Sequence, residues 1–361
     1  MRSIGVGLVG SGFVSRIHAA ALQTVPEAAL VAAASPTEEH VRRFAAEFGI
    51  GRWFTDYRRL LELAEIDLVV IGAPNHLHCA ITVDAAAAGK HVVCEKPLAM
   101  NLEEADRMIA ACRQAGVKLM YAEELCFAPK YVRLKQLVGE GAIGALHLIK
   151  QSEKHDGPHS AWFWDVARSG GGVTMDMGCH ALEFFRWMTG KRRAESLWAE
   201  MWTSVHGDKT QGDDNALLVV RFEGGITALA EESWTKKGGM DDRAEVYGSA
   251  GVAYADLLRG SSILTYSETG YGYAVEKASL TRGWSFTIYE EAWNYGFPQE
   301  FRHFVECVRD DKPPLETGED GRAVLEMIFA AYESARTGCR VALPFQTAAR
   351  RPVDLWKPEL A

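Results

Sequence analysis

The stretch VGLVGSGFVSRIHAAAL, residues 6–22, holds two overlapping glycine registers. Read from Gly5, an unbroken G-x-G-x-x-G runs through Gly7 and Gly10. Read from Gly10, Gly12 is followed by Ser15 where a third glycine would stand. A phosphate is held where a strand ends and a helix begins, because free N–H groups and the positive end of the helix dipole face it there. Ile4, Val6, Leu8 and Val9 read as a short buried strand, so Gly5 and Gly7 fall inside it. From Phe13 the apolar residues Val14, Ile17, Ala20 and Ala21 recur at spacings of three and four, the period of a helix. The junction is therefore Gly10-Ser11-Gly12, and Gly10, Gly12, Phe13 and Val14 are expected to face the phosphates. Ser15 is small enough to stand where a glycine lets helix and strand approach closely.

Outward from this junction the pattern repeats. AALVAAAS (28–35), DLVVIGAP (67–74), HVVCEKP (91–97) and KLMYA (118–122) read as short buried strands. Helical segments separate them at Glu38–Phe48, 78–90 and 101–116. Alternating strands and helices over residues 1–122 predict an α/β domain with a doubly wound parallel sheet. Residues 123–361 are expected to form a second domain, with a C-terminal tail from about 341 to 361. Ser35 stands where a residue meets the adenosine ribose of a dinucleotide. An acid there would select NAD; Ser35 with Thr37 accepts either form, and Glu38 and Glu39 disfavour a 2′-phosphate. NAD is expected over NADP.

At 361 residues the chain is long enough for two cores. A formal net charge of −9 and the lack of a Lys/Arg cluster argue against a nucleic-acid partner. No apolar run approaches the roughly 20 residues of a membrane span. The start, MRSIGVGLVG, does not read as a signal peptide, and the seven cysteines are scattered without a C-x-x-C pair. A cytoplasmic location is expected.

Two further constellations carry chemistry. Glu95 and Lys96 follow a buried strand, so they emerge at the carboxyl edge of the sheet, where open α/β sheets bind ligands. A lysine there can stabilise alkoxide charge. In SGGGVTMDMGCHALEFFRW (169–187), three glycines lead into a helix on which Asp176 and His180 stand four apart on one face. That pair reads as a general base with its orienter; a capping aspartate beside a core histidine is the plainer alternative. A metal site built on Asp176, Cys179 and His180, or on His76 and His78, lacks the spacing of a known ligand set, and none is expected.

The chain resembles the glucose–fructose oxidoreductase / inositol dehydrogenase / rhizopine-catabolism (Gfo/Idh/MocA) family. The resemblance rests on Gly10-Ser11-Gly12, APNHLH (73–78), GKHVVCEKPLA (89–99) and GGGVTMDMGCH (170–180), in that order and spacing, and extends through FRHFVECVRDDKPP (301–314) and AVLEMIFAAYESARTG (323–338). It implies an N-terminal Rossmann domain and a C-terminal α/β domain with a large open, mostly antiparallel sheet whose face serves oligomerisation, as a homodimer or homotetramer. It implies that Glu95 approaches the nicotinamide ribose and that Asn75 and His78 lie near the cofactor. Lys96 would meet substrate and cofactor, and Asp176 and His180 the substrate hydroxyls. The expected activity is an NAD(P)-dependent dehydrogenase or reductase acting on CH–OH groups of a sugar, cyclic polyol or sugar derivative. The alternatives are a redox-neutral glycosidase or oxidoisomerase with tightly held NAD, and a non-catalytic ligand-sensing regulator. Three departures from the family pattern stand out: Ser15 for the third glycine, Glu183 where relatives commonly carry aspartate, and EELCF (123–127) in place of a polar–Arg–Phe run. Glu123 and Glu124 are expected to contact a polyhydroxyl substrate. In EKHDGPHSAWFWD (153–165), His155, His159, Trp162 and Trp164 offer donors and aromatic faces suited to a sugar, or else form a packed aromatic loop.

Overall fold

The structure is a computed structural model describing residues 3–259, 263–278, 280–288 and 290–360. The chain divides into two compact units, Met1–Glu124 with Phe297–Leu325, and Leu125–Gly296 with Glu326–Ala361.

The first unit is built on six strands, β1 (Ile4–Val9), β2 (Ala28–Ala34), β3 (Arg52–Phe54), β4 (Leu68–Ile71), β5 (His91–Glu95) and β6 (Leu119–Ala122). All pair in parallel, in the order β3-β2-β1-β4-β5-β6. This is the doubly wound Rossmann sheet expected from the alternation. Every residue of β1, β4 and β6 is buried, as a strand covered on both faces requires. Strand order reverses between β1 and β4, so the ligand crevice opens at the carboxyl ends, beside Gly10, Ser35, Gly72, Lys96 and Glu123.

Strand β3 and the short helix Tyr57–Leu61 carry no signal of the expected kind. Three half-buried residues at a sheet edge have no room for a period. The segment Phe297–Leu325 belongs to this first unit, a correction to the expectation that all of 123–361 forms the second. Its helix Phe297–Arg309 buries Phe297, Phe301, Phe304 and Val305, one stripe at helical spacing, and packs against the helix Phe13–Gln23. The chain then forms an antiparallel bridge, Thr317 with Met120, on the edge strand β6. Gly321 follows, where a Cβ would come within 2.9 Å of Leu98 and Tyr121. A returning segment thereby covers a sheet edge that would otherwise present unpaired backbone groups.

The second unit centres on seven strands: β7 (Leu146–Lys154), β8 (Ala194–Trp202), β9 (Asn215–Phe222), β10 (Thr227–Ser233), β11 (Asp241–Gly248), β12 (Gly251–Asp256) and β15 (Val341–Ala342), ordered β12-β11-β7-β10-β9-β8-β15. Only β7 and β10 run parallel. A separate hairpin pairs β13 (Ile263–Ser267) with β14 (Gly283–Thr287). On one face of the large sheet, Ile149, Leu218, Val220, Ala228 and Ala230 are fully buried and the helix Gly178–Met188 packs on β7 and β10. On the other face, Leu148, Trp198, Leu217, Val219 and Leu229 are only partly covered.

Candidate active site

In the first unit the glycine loop lies at the strand–helix junction. Strand β1 ends at Val9 and the helix Phe13–Gln23 begins after Gly12. The other register has a different use. A Cβ on Gly5 would lie 1.7 Å from the Glu65 carbonyl oxygen, and one on Gly7 would strike Leu60 and Ile66. Those glycines let the chain before β4 cross the strand. Gly10 has φ +124° and faces the Gly72 carbonyl, where a Cβ would stand at 2.4 Å. Gly12 is the opposite case. It is exposed, caps the helix without a side chain, and a Cβ there would meet nothing within 4 Å. Ser15 fills the third position because β4 is followed by a glycine: a Cβ on Gly72 would lie 2.6 Å from Ser15 Oγ. The missing glycine of the motif has moved across the sheet.

Around this cradle, Ser11 Oγ donates to Ser35 Oγ at 2.9 Å, joining the ends of β1 and β2. Phe13 is 38% exposed at the helix start, and Thr37 precedes a helix whose first turn carries Glu38 and Glu39. An open helix N-terminus, a glycine in a left-handed conformation and two hydroxyls at the strand ends fit an anionic dinucleotide. Asn75 is buried. His78 is fully buried with Nδ1 3.0 Å from the Pro97 carbonyl and Nε2 2.8 Å from that of Ala73. Burial holds its pKa below the ordinary histidine value against those carbonyls and Glu95. His78 thus braces the loop after β4 against the loop after β5, each ring nitrogen facing a backbone carbonyl.

Glu95 ends β5 and is buried. One carboxylate oxygen, Oε2, accepts the Lys96 backbone N–H at 2.9 Å, and Oε1 lies 2.8 Å from His18 Nε2. Burial would raise its pKa, but the His18 contact and the charges of His18, Lys96 and His78 outweigh burial and hold the carboxyl below its usual value. Glu123 directly follows β6 and is fully buried. His18 belongs to no sequence motif. It looked like one residue of an alanine-rich helix, and only the fold brings it to Glu95.

In the second unit Asp176 and His180 do not share one helix. Asp176 closes the short helix Val173–Asp176, and His180 lies in the helix Gly178–Met188. The His180 N–H bonds to the Met177 carbonyl at 3.0 Å, and the Asp176 carbonyl accepts from Cys179 Sγ at 3.2 Å. Both side chains are buried. Asp176 Oδ2 accepts the indole N–H of Trp234 at 3.0 Å, a partner 58 residues away that no local motif marks. The glycines before Asp176 serve packing: a Cβ on Gly171 would meet the Tyr332 hydroxyl at 2.2 Å, and one on Gly172 the Asp213 carbonyl at 1.9 Å. Buried Asp213 accepts from the Gly172 N–H at 3.1 Å, the Thr174 N–H at 2.9 Å, Thr174 Oγ1 at 2.7 Å and the Tyr332 hydroxyl. Glu183, one turn past His180, is buried and accepts from Arg186 at 3.1 Å.

The loop after β7 is packed around aromatic rings. Trp164 stands edge-on to Trp234 at 5.3 Å and lies 5.0 Å from the His206 ring, with Lys209 over its face. Trp162 stacks on Phe163 at 4.2 Å. Lys277 Nζ donates to the carbonyls of Gly157 and Pro158. His155 is buried edge-on to His159 at 4.8 Å; burial first, then His159, push its pKa well below the ordinary value against the pull of Asp176. His159 in turn contacts Glu276.

The chain as a whole is similar to known proteins. Residues 4–123 match the family described as "Oxidoreductase family, NAD-binding Rossmann fold", and residues 131–254 match the GFO/IDH/MocA C-terminal domain. The chain is 31% identical over 352 residues to scyllo-inositol 2-dehydrogenase (NAD(+)) of Bacillus subtilis, covering 94% of this chain and 96% of that protein. It is 29% identical over 334 residues to myo-inositol 2-dehydrogenase of Thermotoga maritima, covering 91% and 95%. Among solved structures it is similar to GenD2 from gentamicin A biosynthesis in complex with NAD, with a TM-score of 0.90 and 30% identity over 96% of this chain and 97% of that one. The chain belongs to the Gfo/Idh/MocA family of NAD-binding oxidoreductases.

Proposed function

We propose that the protein is a dehydrogenase that oxidises a carbinol of a cyclic polyol, sugar or sugar derivative with NAD. The observation that carries this is the carboxyl edge of the Rossmann sheet. There an open glycine cradle and a lysine whose backbone is clasped by Glu95 follow strands of one sheet. The relatives named for inositol oxidation support the substrate class.

Gly10, Gly12, Phe13 and Val14 would hold the pyrophosphate, and Ser35 and Thr37 the adenosine ribose. NAD is favoured over NADP because Glu38 and Glu39 would repel a 2′-phosphate. When bound, nicotinamide supplies the hydride acceptor. His180 takes the hydroxyl proton, Asp176 orients that imidazole or a substrate hydroxyl, and Lys96 stabilises the negative charge that develops on oxygen. Glu123, His155, His159 and Trp164 are assigned to the substrate, with the packing of Trp164 suiting a wall more than a donor. Among the described residues no helix is long and apolar enough to cross a membrane. Seven cysteines without a disulfide accord with a reducing compartment, and we place the protein in the cytoplasm.

The test is a spectrophotometric screen of inositols, aldoses and sugar acids with NAD and NADP, followed at the absorbance of reduced nicotinamide. Turnover of a polyol with NAD is expected. Sugar hydrolysis or isomerisation with no net reduction of added NAD would overturn the dehydrogenase reading.

A further inference from the structure

We propose that His18 is a positioning residue for Lys96, acting through Glu95. This rests on the role given to Lys96 above.

The geometry forms a chain of three groups. His18 is on the helix Phe13–Gln23, the same helix whose start forms the glycine cradle. Its Nε2 lies 2.8 Å from Glu95 Oε1, and Glu95 Oε2 accepts the Lys96 backbone N–H at 2.9 Å. A carboxylate held at one oxygen only can swing about its last torsions; held at both, it fixes the peptide that carries Lys96. His18 is fully buried, and its ring packs 4.7 Å from Phe301 and 6.2 Å from Phe297. Those rings lock the imidazole rotamer; neither ring nitrogen makes an aligned hydrogen bond among the described residues, and the ring meets Glu95 through the 2.8 Å contact of Nε2 with Oε1.

The surrounding charges favour the same arrangement. Glu300 sits on the helix of Phe297 and Phe301, fully buried, with neither carboxyl oxygen hydrogen-bonded among the described residues. Burial, then the neighbouring carboxylates Glu124, Glu95, Glu123 and Glu316, push its pKa well above the ordinary value. Glu300 is thereby biased towards its neutral form, which limits the negative charge beside Glu95. His18 and Lys96 remain the groups that compensate the Glu95 carboxylate, with His78 a smaller contribution. Losing His18 would leave a buried oxygen uncompensated, and the carboxylate would leave the Lys96 N–H to find another partner.

Three substitutions separate donor from filler. Gln places a nitrogen where Nε2 stands, Asn places it where Nδ1 stands, and Phe keeps the aromatic packing without a donor. With the polyol and NAD that the screen returns, His18→Phe and His18→Asn should lose roughly 10- to 100-fold in kcat, with a smaller change in the KM for NAD. His18→Gln should recover most of the rate. In a Lys96→Ala background, His18→Phe should cost little further, because the residue it positions is gone. Independently of turnover, deuterium exchange of a peptide spanning 94–100 should be faster in His18→Phe than in wild type and restored in His18→Gln. Multiplicative losses in the double variant, or unchanged exchange in a folded His18→Phe, would overturn the proposal. If wild type oxidises no polyol, the dehydrogenase reading fails, and the exchange experiment still decides whether His18 holds this loop.

Discussion

Trp234 donates its indole N–H to Asp176 Oδ2 at 3.0 Å, and this bond between residues 58 apart fixes the carboxylate on which the proposed proton chemistry depends. Trp234 is completely buried, with the rings of Phe163 and Trp164 set edge-on against it. Trp234→Phe keeps most of the packing and removes one hydrogen bond to a buried carboxylate. Such a bond contributes about 1.5–3 kcal/mol to stability, so the unfolding free energy should drop by that order. The kcat of the folded variant should fall roughly 10- to 100-fold as the carboxylate loses its orientation. A kcat within twofold of wild type would remove Trp234 from the orienting role.

The two glycines of the cradle predict opposite outcomes. Gly12→Val puts atoms into open space, so the fold should be kept while NAD affinity falls at least tenfold, measured by calorimetry. Gly10→Ala meets the Gly72 carbonyl in a left-handed backbone, and the protein should lose stability or fail to fold. NAD binding unaltered in Gly12→Val would place the pyrophosphate elsewhere.

What was legible in the sequence was local. The contrast between a buried strand up to Val9 and a helical period from Phe13 located the cradle, and the same contrast located β2, β4, β5 and β6. What was not legible depended on distant partners. The stripe on Phe297–Arg309 marks a helix but does not say which unit it packs on, and that segment joins the first. The glycines at 170–172 read only as the lead into a helix, with no sign of the partners that need them small. Asp213, about forty residues on, takes the N–H groups of Gly172 and Thr174, and Tyr332 closes over Gly171. That Ser15 fits because Gly72 lies against it is a contact between residues 57 apart.

His155 makes stability depend on pH. Its pKa in the folded chain is well below the unfolded value of about 6.5. Below that pH the unfolded chain takes up a proton that the folded one refuses. The contribution is therefore complete above pH 6.5 and lost as the pH falls towards the folded pKa, by up to about 1.4 kcal/mol per pH unit. His155→Gln should flatten the decline in urea-unfolding free energy between pH 6.5 and 5 relative to wild type. Parallel curves would show that His155 titrates normally.

The partly covered sheet face predicts association. Trp198, Val219 and Leu229 lie side by side across β8, β9 and β10, and Lys150 extends the row on β7. An apolar row of this kind is rarely left to water. Light scattering at micromolar concentration should give a dimer or tetramer, and Leu229→Glu should yield a folded species of lower mass. A wild-type monomer would count against the interface.

The last prediction concerns the proton. If His180 is the base, it must be neutral to accept the hydroxyl proton, so oxidation should slow as the pH is lowered through its titration. His180→Ala should lose two to four orders of magnitude in kcat, the usual worth of a positioned base. NAD affinity should change little, because His180 belongs to the second unit and the glycine cradle to the first. Lys96→Ala differs in kind: it removes a charge that acts on the substrate oxygen, so both kcat and the substrate KM should suffer. The two variants also separate by pH. The acid limb should vanish with His180→Ala and persist, at lower rate, with Lys96→Ala. An acid limb retained in His180→Ala at near-normal rate would transfer the base role to Lys96.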